Sequence, residues 1–245
     1  MNEPAADAPD TGWRDTAGPP AGPLVRRAFL DERQRSHAER MTDRHAPTYD
    51  DHWGAIPPSH ARFLRRLLRL TRPGGTVLDV ACGTGRPWPT ILRSGRSVIG
   101  VDQSAGMLVV AARKHPEVPV GLIAMADLPY EAIFDAVMCL DALENVGPDD
   151  WPRTLARLVG AARPAAPLYL TVELPEAEES LRVAYGTALA AGHPVVPGED
   201  FDGTGYHFYP HDRQLAAWLA AAGVEILVTE DADQYRHLLL RRVAG

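Results

Sequence analysis

The residues best suited to chemistry in this chain are Asp79-Val80-Ala81-Cys82-Gly83-Thr84-Gly85, joined 23 positions after Asp79 by Asp102. Gly83 and Gly85 permit a tight turn and let backbone approach a ligand closely. Asp102 ends a β-branched apolar run, where a carboxylate suits bidentate hydrogen bonding to ribose hydroxyls. A dinucleotide would need G-x-G-x-x-G, so that a helix amino terminus could meet the pyrophosphate. Here the register is Gly83-Thr84-Gly85-Arg86-Pro87-Trp88, and close helix–strand packing would not admit Trp88 at the third glycine position. Asp79 would repel a pyrophosphate and attract the cationic group of an amino acid. Phosphate cofactors are therefore disfavoured. Taken singly, Asp79 also reads as a turn cap and Asp102 as a charge at a helix start.

A second group of candidates lies far along the chain, in Gly205-Tyr206-His207-Phe208-Tyr209-Pro210. His207 has the side chain whose ordinary pKa suits a general base at neutral pH, and Tyr206 and Tyr209 could wall an acceptor pocket. Taken alone, His207 reads more readily as a satisfied polar residue packing its segment. Glu144 and Glu173 follow the fourth and fifth expected strands and could face an acceptor, although each alone also suits a structural role. His207 and His211 are four apart, but Pro210 between them argues against a helical metal pair, and no Cys/His spacing resembles a zinc site, so no metal is expected. Cys82 and Cys139 read as small core residues without a disulfide.

These residues need elements to position them, and from Pro58 the sequence alternates between two segment types. Short β-branched runs at Thr76–Ala81, Ser97–Val101, Val118–Met125, Phe134–Leu140 and Leu168–Val172 predict five buried strands. Between them lie helical patterns, with Ser59, Ser104 and Asp150 as expected caps and Pro87–Leu92 beginning another helix. Residues 173–211 form a long connection with one helix-like stretch, Ala177–Ala191; so long a connection is more often functional than idle. A helix through Leu215, Trp218, Leu219 and Ala222 stops at Gly223. Val224–Thr229 and Tyr235–Leu240 are joined too briefly for a parallel crossover and predict an antiparallel hairpin. The expected fold is α/β: a Rossmann-like doubly wound seven-stranded sheet with an antiparallel C-terminal hairpin, an N-terminal helical lid and an insert after the fifth strand.

On these residues the chain resembles the class I S-adenosylmethionine-dependent methyltransferases, across roughly Tyr49 to Arg242. Asp79 to Gly85 looks like the family's first motif, with Ala81 replacing its usual first glycine. The resemblance implies S-adenosyl-L-methionine as cofactor, held by Asp79, Ala81, Cys82, Gly83 and Gly85 and by Asp102, Gln103 and Met107. Ala126-Asp127-Leu128 resembles the segment that meets the adenine edge, although Asp127 equally suits a solvated loop. Phe134-Asp135-Ala136-Val137 with Leu140-Asp141-Ala142-Leu143 is similar to the fourth-strand motif beside the methionine moiety, which brings in Leu140. Tyr49 with Asp50 looks like the amino-terminal lid whose ring covers the cofactor, with Trp53 and His45 near the acceptor. Aromatic segments such as Tyr206–Tyr209 resemble substrate walls in relatives that methylate small aromatic or polyketide-like metabolites.

The implied activity is methyl transfer to oxygen, nitrogen or carbon of a small molecule, in specialised metabolism. A methyltransferase-like cyclase, or an inactive cofactor-binding partner subunit, fits the same motifs. Residues 140–146 read Leu-Asp-Ala-Leu-Glu-Asn-Val, unlike the Asn/Asp-Pro-Pro-Tyr/Phe motif of enzymes that methylate nucleobase or amide nitrogens.

The 245 residues suffice for one domain, and 45% hydrophobic with 23% charged residues is ordinary for a folded chain. A formal net charge of -7 argues against nucleic acid as partner, because phosphate binding leaves a basic footprint. No apolar run suits a membrane span and the first residues lack a secretory pattern, so the expectation is a cytoplasmic protein, monomer or homodimer. Residues 1–40 read as a disordered or partly helical leader and 41–245 as the methyltransferase domain, with Met41 an alternative translation start.

Overall fold

The structure, a computed structural model, describes residues 22–40, 45–200 and 205–243, with backbone only at 34–40. Met41 lies outside the described residues. The helices are α1 Pro23–Arg40, α2 Tyr49–Trp53, α3 Pro58–Leu70, α4 Trp88–Arg93, α5 Ala105–Lys114, α6 Trp151–Ala161, α7 Glu178–Ala190 and α8 Asp212–Ala221. The strands are β1 Thr76–Val80, β2 Ser97–Asp102, β3 Val120–Leu122, β4 Ala136–Cys139, β5 Pro167–Glu173, β6 Glu199–Asp200, β7 His207–Phe208, β8 Val224–Ala232 and β9 Tyr235–Arg242.

Seven strands form one sheet in the order β3-β2-β1-β4-β5-β9-β8. β1 to β5 run parallel, β9 is antiparallel to β5 and β8 antiparallel to β9, the expected doubly wound sheet with its closing hairpin. Helices cover both faces, so the central strands are apolar without alternation: Val77, Leu78, Val80, Ala136, Val137, Met138 and Cys139 are all fully buried. The chain leaves β1 towards β2 on one side and later returns to β4 on the other. The crevice beyond the carboxyl ends of β1 and β4 is thus the topological switch point, where ligands bind in open α/β sheets.

Several local expectations are corrected. The third strand is only Val120–Leu122, and Met125–Asp127 turns into a 3-10 helix. Ser59 lies inside α3, which begins after Pro57; its hydroxyl is 2.5 Å from Asp233 Oδ2 and pins the hairpin turn to α3. Asp150 precedes α6 without a side-chain cap and instead accepts from Arg27 at 2.6 Å, whereas Ser104 does cap α5 by accepting from Met107 N at 3.2 Å. α1 packs on the domain, with Leu30 in the main core. The long connection contains α7 and also the β6–β7 ladder.

Trp88 overturns one packing expectation. It is fully buried between α4 and the sheet because two glycines make room. A Cβ at Gly85 would lie 2.6 Å from its Cε3, and one at Gly100 on β2 would lie 2.3 Å from its Cζ2. The indole that excludes a pyrophosphate loop is the plug that supports this one, and its Nε1 donates to Asp79 Oδ2 at 2.8 Å.

Candidate functional site

The loop after β1 turns through three residues with positive φ, Ala81 at 55°, Gly83 at 54° and Gly85 at 74°. At Gly83 the place a Cβ would take is open space, leaving bare backbone facing the crevice. Gly83 N donates to Asp102 Oδ2 and Ser104 N to Asp102 Oδ1, both at 2.8 Å. These bonds hold the carboxylate at the end of β2 with both oxygens still able to accept further donors, since each carries more than one lone pair. Burial raises the pKa of Asp102, and the backbone donors oppose that shift. Burial likewise lifts Asp79 to about 7, opposed by the Trp88 hydrogen bond.

Around this loop lie three adjoining clefts. The first is about 100 Å³ and is lined by Tyr49, Ala81, Gly83, Asp102, Gln103, Met107, Asp141 and Asn145. Deeper under the loop, a second is lined by Tyr49, Asp79, Ala81, Cys82, Gly83, Leu140 and Asp141. The third, about 160 Å³, continues from Gln103 and Asn145 to Ala126, Asp127, Arg27 and Tyr206. The expected residues Tyr49, Asp79, Ala81, Cys82, Gly83, Asp102, Gln103, Met107, Ala126, Asp127 and Leu140 therefore gather on one continuous surface. Gly85 serves the turn and the Trp88 plug, and the Leu128 side chain is wholly buried in the core. Asp127 is exposed and ion-paired with Arg153 at 2.5 Å, so it is both a solvated carboxylate and a cleft residue. Asp135 sits before β4, at the opposite end of the sheet, accepting from Thr76 N at 2.8 Å and from Arg72. That half of the fourth-strand motif is structural.

The lid helix α2 is tied down over the loop. Asp50 accepts from Thr84 Oγ1 at 2.6 Å and from Lys114 Nζ at 2.5 Å, while Arg86 donates to Trp53 O at 2.8 Å. Tyr49 packs on Trp53 with ring centroids 5.1 Å apart; Trp53 itself is half exposed.

The sequence places Asp141 in the fourth-strand motif but not at the hub beneath α2 that it forms with His60 and Arg86. Asp141 stands in the left-handed region at φ 51° just beyond β4, accepting from His60 Nε2 at 2.7 Å and Arg86 at 2.8 Å. Burial would raise its pKa, but His60 and Arg86 hold it below the ordinary carboxylate value. Its partners lie 81 and 55 residues away, too far for any local pattern.

Two of the three candidate bases, His207 and Glu173, meet at a separate cavity of about 330 Å³ beyond the end of β5, lined also by Asp200, Tyr209 and Gln234 among others, whereas Glu144 is not in its lining. His207 Nδ1 is 2.8 Å from Glu173 Oε2 and 3.2 Å from the Tyr209 hydroxyl. Glu144 is buried; burial and the nearby Glu173 push its pKa up to about 8, so it is mostly neutral at pH 7. Tyr206 departs from expectation. It is 1% exposed, and its hydroxyl donates to Glu199 at 2.7 Å, so it walls the 160 Å³ cleft and not the His207 cavity. Cys82 and Cys139 are buried free thiols whose pKa burial raises. Among the described residues, no group of three or more His, Cys, Asp or Glu could hold a metal ion. No described helix is long and apolar enough to cross a membrane.

Sheet order, glycine loop and terminal acid define a doubly wound α/β protein with a nucleoside-sized cleft at its switch point. Residues 77–165 match the family model described as a methyltransferase domain. The chain is 29% identical to the demethylmenaquinone methyltransferase of Renibacterium salmoninarum, over 80% of this chain and 87% of that protein. It is 32% identical to the ubiquinone biosynthesis O-methyltransferase of Xanthomonas axonopodis pv. citri, over 71% and 74% respectively. The magnesium protoporphyrin IX methyltransferase of Synechocystis, solved with bound cofactor, superposes with a TM-score of 0.61 at 17% identity, over 85% of this chain and 96% of that one. The chain belongs to the class I S-adenosylmethionine-dependent methyltransferases, and S-adenosyl-L-methionine is its cofactor.

Proposed function

We propose that this methyltransferase modifies a small-molecule acceptor seated in the cavity beyond β5, at a hydroxyl whose proton passes to His207, in specialised metabolism. The observation that carries this reading is the meeting of His207, Glu173 and Tyr209 on one wall of that 330 Å³ cavity. One relative is named an O-methyltransferase, and both relatives' names refer to quinones, which supports oxygen on a small aromatic acceptor.

When bound, S-adenosylmethionine supplies a methyl group already activated on a sulfonium, so the chain's residues need to orient an acceptor and remove a proton. Tyr49, Asp79, Gly83, Asp102, Gln103 and Met107 would hold it, with Asp102 accepting from the ribose hydroxyls and Asp79 facing the amino acid end. The Glu173 carboxylate 2.8 Å away favours the tautomer that keeps a proton on Nδ1 of His207, which leaves Nε2 as the basic nitrogen. The resulting imidazolium is stabilised by the adjoining Glu173 carboxylate. Tyr209 supplies aromatic surface to an acceptor ring, whereas Trp53 packs on Tyr49 and does not line this cavity. A reducing cytoplasm suits the two free thiols.

The test is His207→Ala assayed with methyl-labelled cofactor against a panel of catechols and hydroxylated quinols. Turnover should fall by about 10²–10⁴-fold, the usual share of a general base. Affinity for S-adenosylhomocysteine should stay the same. Unchanged turnover removes His207 from the mechanism, and no labelled product from any panel member removes this acceptor class.

A further inference from the structure

The N-terminal helix is fastened by a buried knot that the catalytic reading leaves unused. Arg26 of α1 is 6% exposed and Glu199 of β6 is fully buried. Arg26 donates to Glu199 through both terminal nitrogens, at 3.0 and 2.8 Å, to Pro194 O at 2.7 Å and through Nε to Asp149 at 2.8 Å. Glu199 also accepts from Val196 N and from the Tyr206 hydroxyl, each at 2.7 Å. Such a fork-to-fork pair fixes orientation as well as distance.

What this knot touches on either side gives it a role. In the β6–β7 ladder Glu199 faces Phe208, both buried, while Asp200 faces His207. Directly opposed residues share a face and neighbours along a strand alternate, so a ribbon held from its Glu199 side presents Asp200 and His207 on the other side, where both line the acceptor cavity. Tyr206, the residue before His207, lines the cleft beside Asp127 and Asn145, and so does Arg27, the residue after Arg26. Arg26 therefore stands one residue from the cofactor cleft and, through Glu199, one residue from the acceptor cavity.

We propose that Arg26 is a positioning residue that couples the cofactor cleft to the acceptor cavity, by holding Arg27 and Tyr206 on one side and His207 on the other. The His207 side of this coupling rests on the function proposed above; the cofactor side does not. In consequence a chain starting at Met41, without α1, would lose both.

The experiment uses the full-length protein and two readouts other than turnover: calorimetric affinity for S-adenosylhomocysteine, and the His207 ring resonance in the cofactor-free protein, assigned with H207A. Arg26→Met, which keeps an unbranched apolar stem, should weaken binding by about tenfold or more and move the His207 resonance. Arg27→Ala should weaken binding by roughly threefold and leave the resonance in place. An Arg26→Met protein with a lower melting temperature but unchanged affinity and resonance overturns the proposal, because that is the signature of a purely structural pair. If Arg26→Met does not fold, Tyr206→Phe, which deletes one hydroxyl from the knot, must move the His207 resonance; an unmoved resonance overturns the proposal. Should His207→Ala keep full turnover while these shifts are observed, the base assignment fails and the coupling stands.

Discussion

Asp79→Asn should make the cofactor-free protein more stable at alkaline pH and leave it nearly unchanged in acid. The native pKa of Asp79 is about 7, raised by burial from an ordinary 3.8. The native state thus keeps a proton that the unfolded chain releases, so unfolding loses protons and stability falls as pH rises. This contribution is fully present below pH 3.8, declines across the interval, and is gone above about pH 7. At ~1.4 kcal/mol per unit, a shift of about three units corresponds to about 4 kcal/mol. Asparagine keeps an oxygen for the Trp88 indole N–H and does not titrate, so the variant lacks this slope. Urea denaturation at pH 4.5, 6 and 8 reads the effect directly. With an m-value of about 2 kcal/mol/M, the two midpoints should separate by about 2 M at pH 8 and by only about 0.5 M at pH 4.5, where the unfolded carboxyl has begun to ionise. Glu144, raised in the same way, adds a slope common to both proteins, as do Asp50, Asp135 and Asp141, whose depressed values weaken the fold in strong acid. These cancel in the difference. Parallel curves for wild type and variant would refute the reasoning, because they would mean that the buried carboxyl titrates like an exposed one.

Three further substitutions probe the loop and its plug. Ala81→Gly relieves a left-handed residue at φ 55° and should raise stability by about 0.5–1 kcal/mol, or roughly 1–4 °C by scanning calorimetry; a lower melting temperature would contradict the strain. Gly100→Ala would place a Cβ 2.3 Å from the Trp88 ring and 2.9 Å from Cys82 Sγ, and should cost about 1–3 kcal/mol or more by urea titration. Wild-type stability in that variant would mean that Trp88 is not the plug described here. Asp102→Ala removes the acceptor of two backbone N–H groups along with the proposed ribose contact. It should weaken S-adenosylhomocysteine binding by about 10²-fold or more, since hydrogen bonds to a charged group contribute about 1.5–3 kcal/mol each. Equal affinity would take Asp102 out of the cofactor site.

Residues that act where they stand in a strand were readable from the sequence, and residues that act through a distant partner were not. Thr76–Val80 and Ser97–Asp102 announce themselves as β-branched runs because buried parallel strands must be apolar on both faces. The loop and acid at their carboxyl ends follow from topology. The same rule would have excluded Asp135: it precedes β4 and so lies at the amino end, away from the crevice, whereas Asp141 follows β4 and lies in it. Trp88 could not be judged from its own helix, because Gly100, twelve positions on and in another strand, makes its space. α1 was equally opaque: its anchors are Leu30 and the charged Arg26, and the latter's partner Glu199 is 173 residues away, so apolar periodicity is silent about the contact that matters. Tyr206 and His207 show the limit most sharply. As an aromatic cluster they seemed to share one pocket, yet neighbours on an extended chain point to opposite sides. Once His207–Phe208 is seen as a strand, that alternation assigns Tyr206 to the 160 Å³ cleft and His207 to the cavity beyond β5, and composition alone could never have separated them.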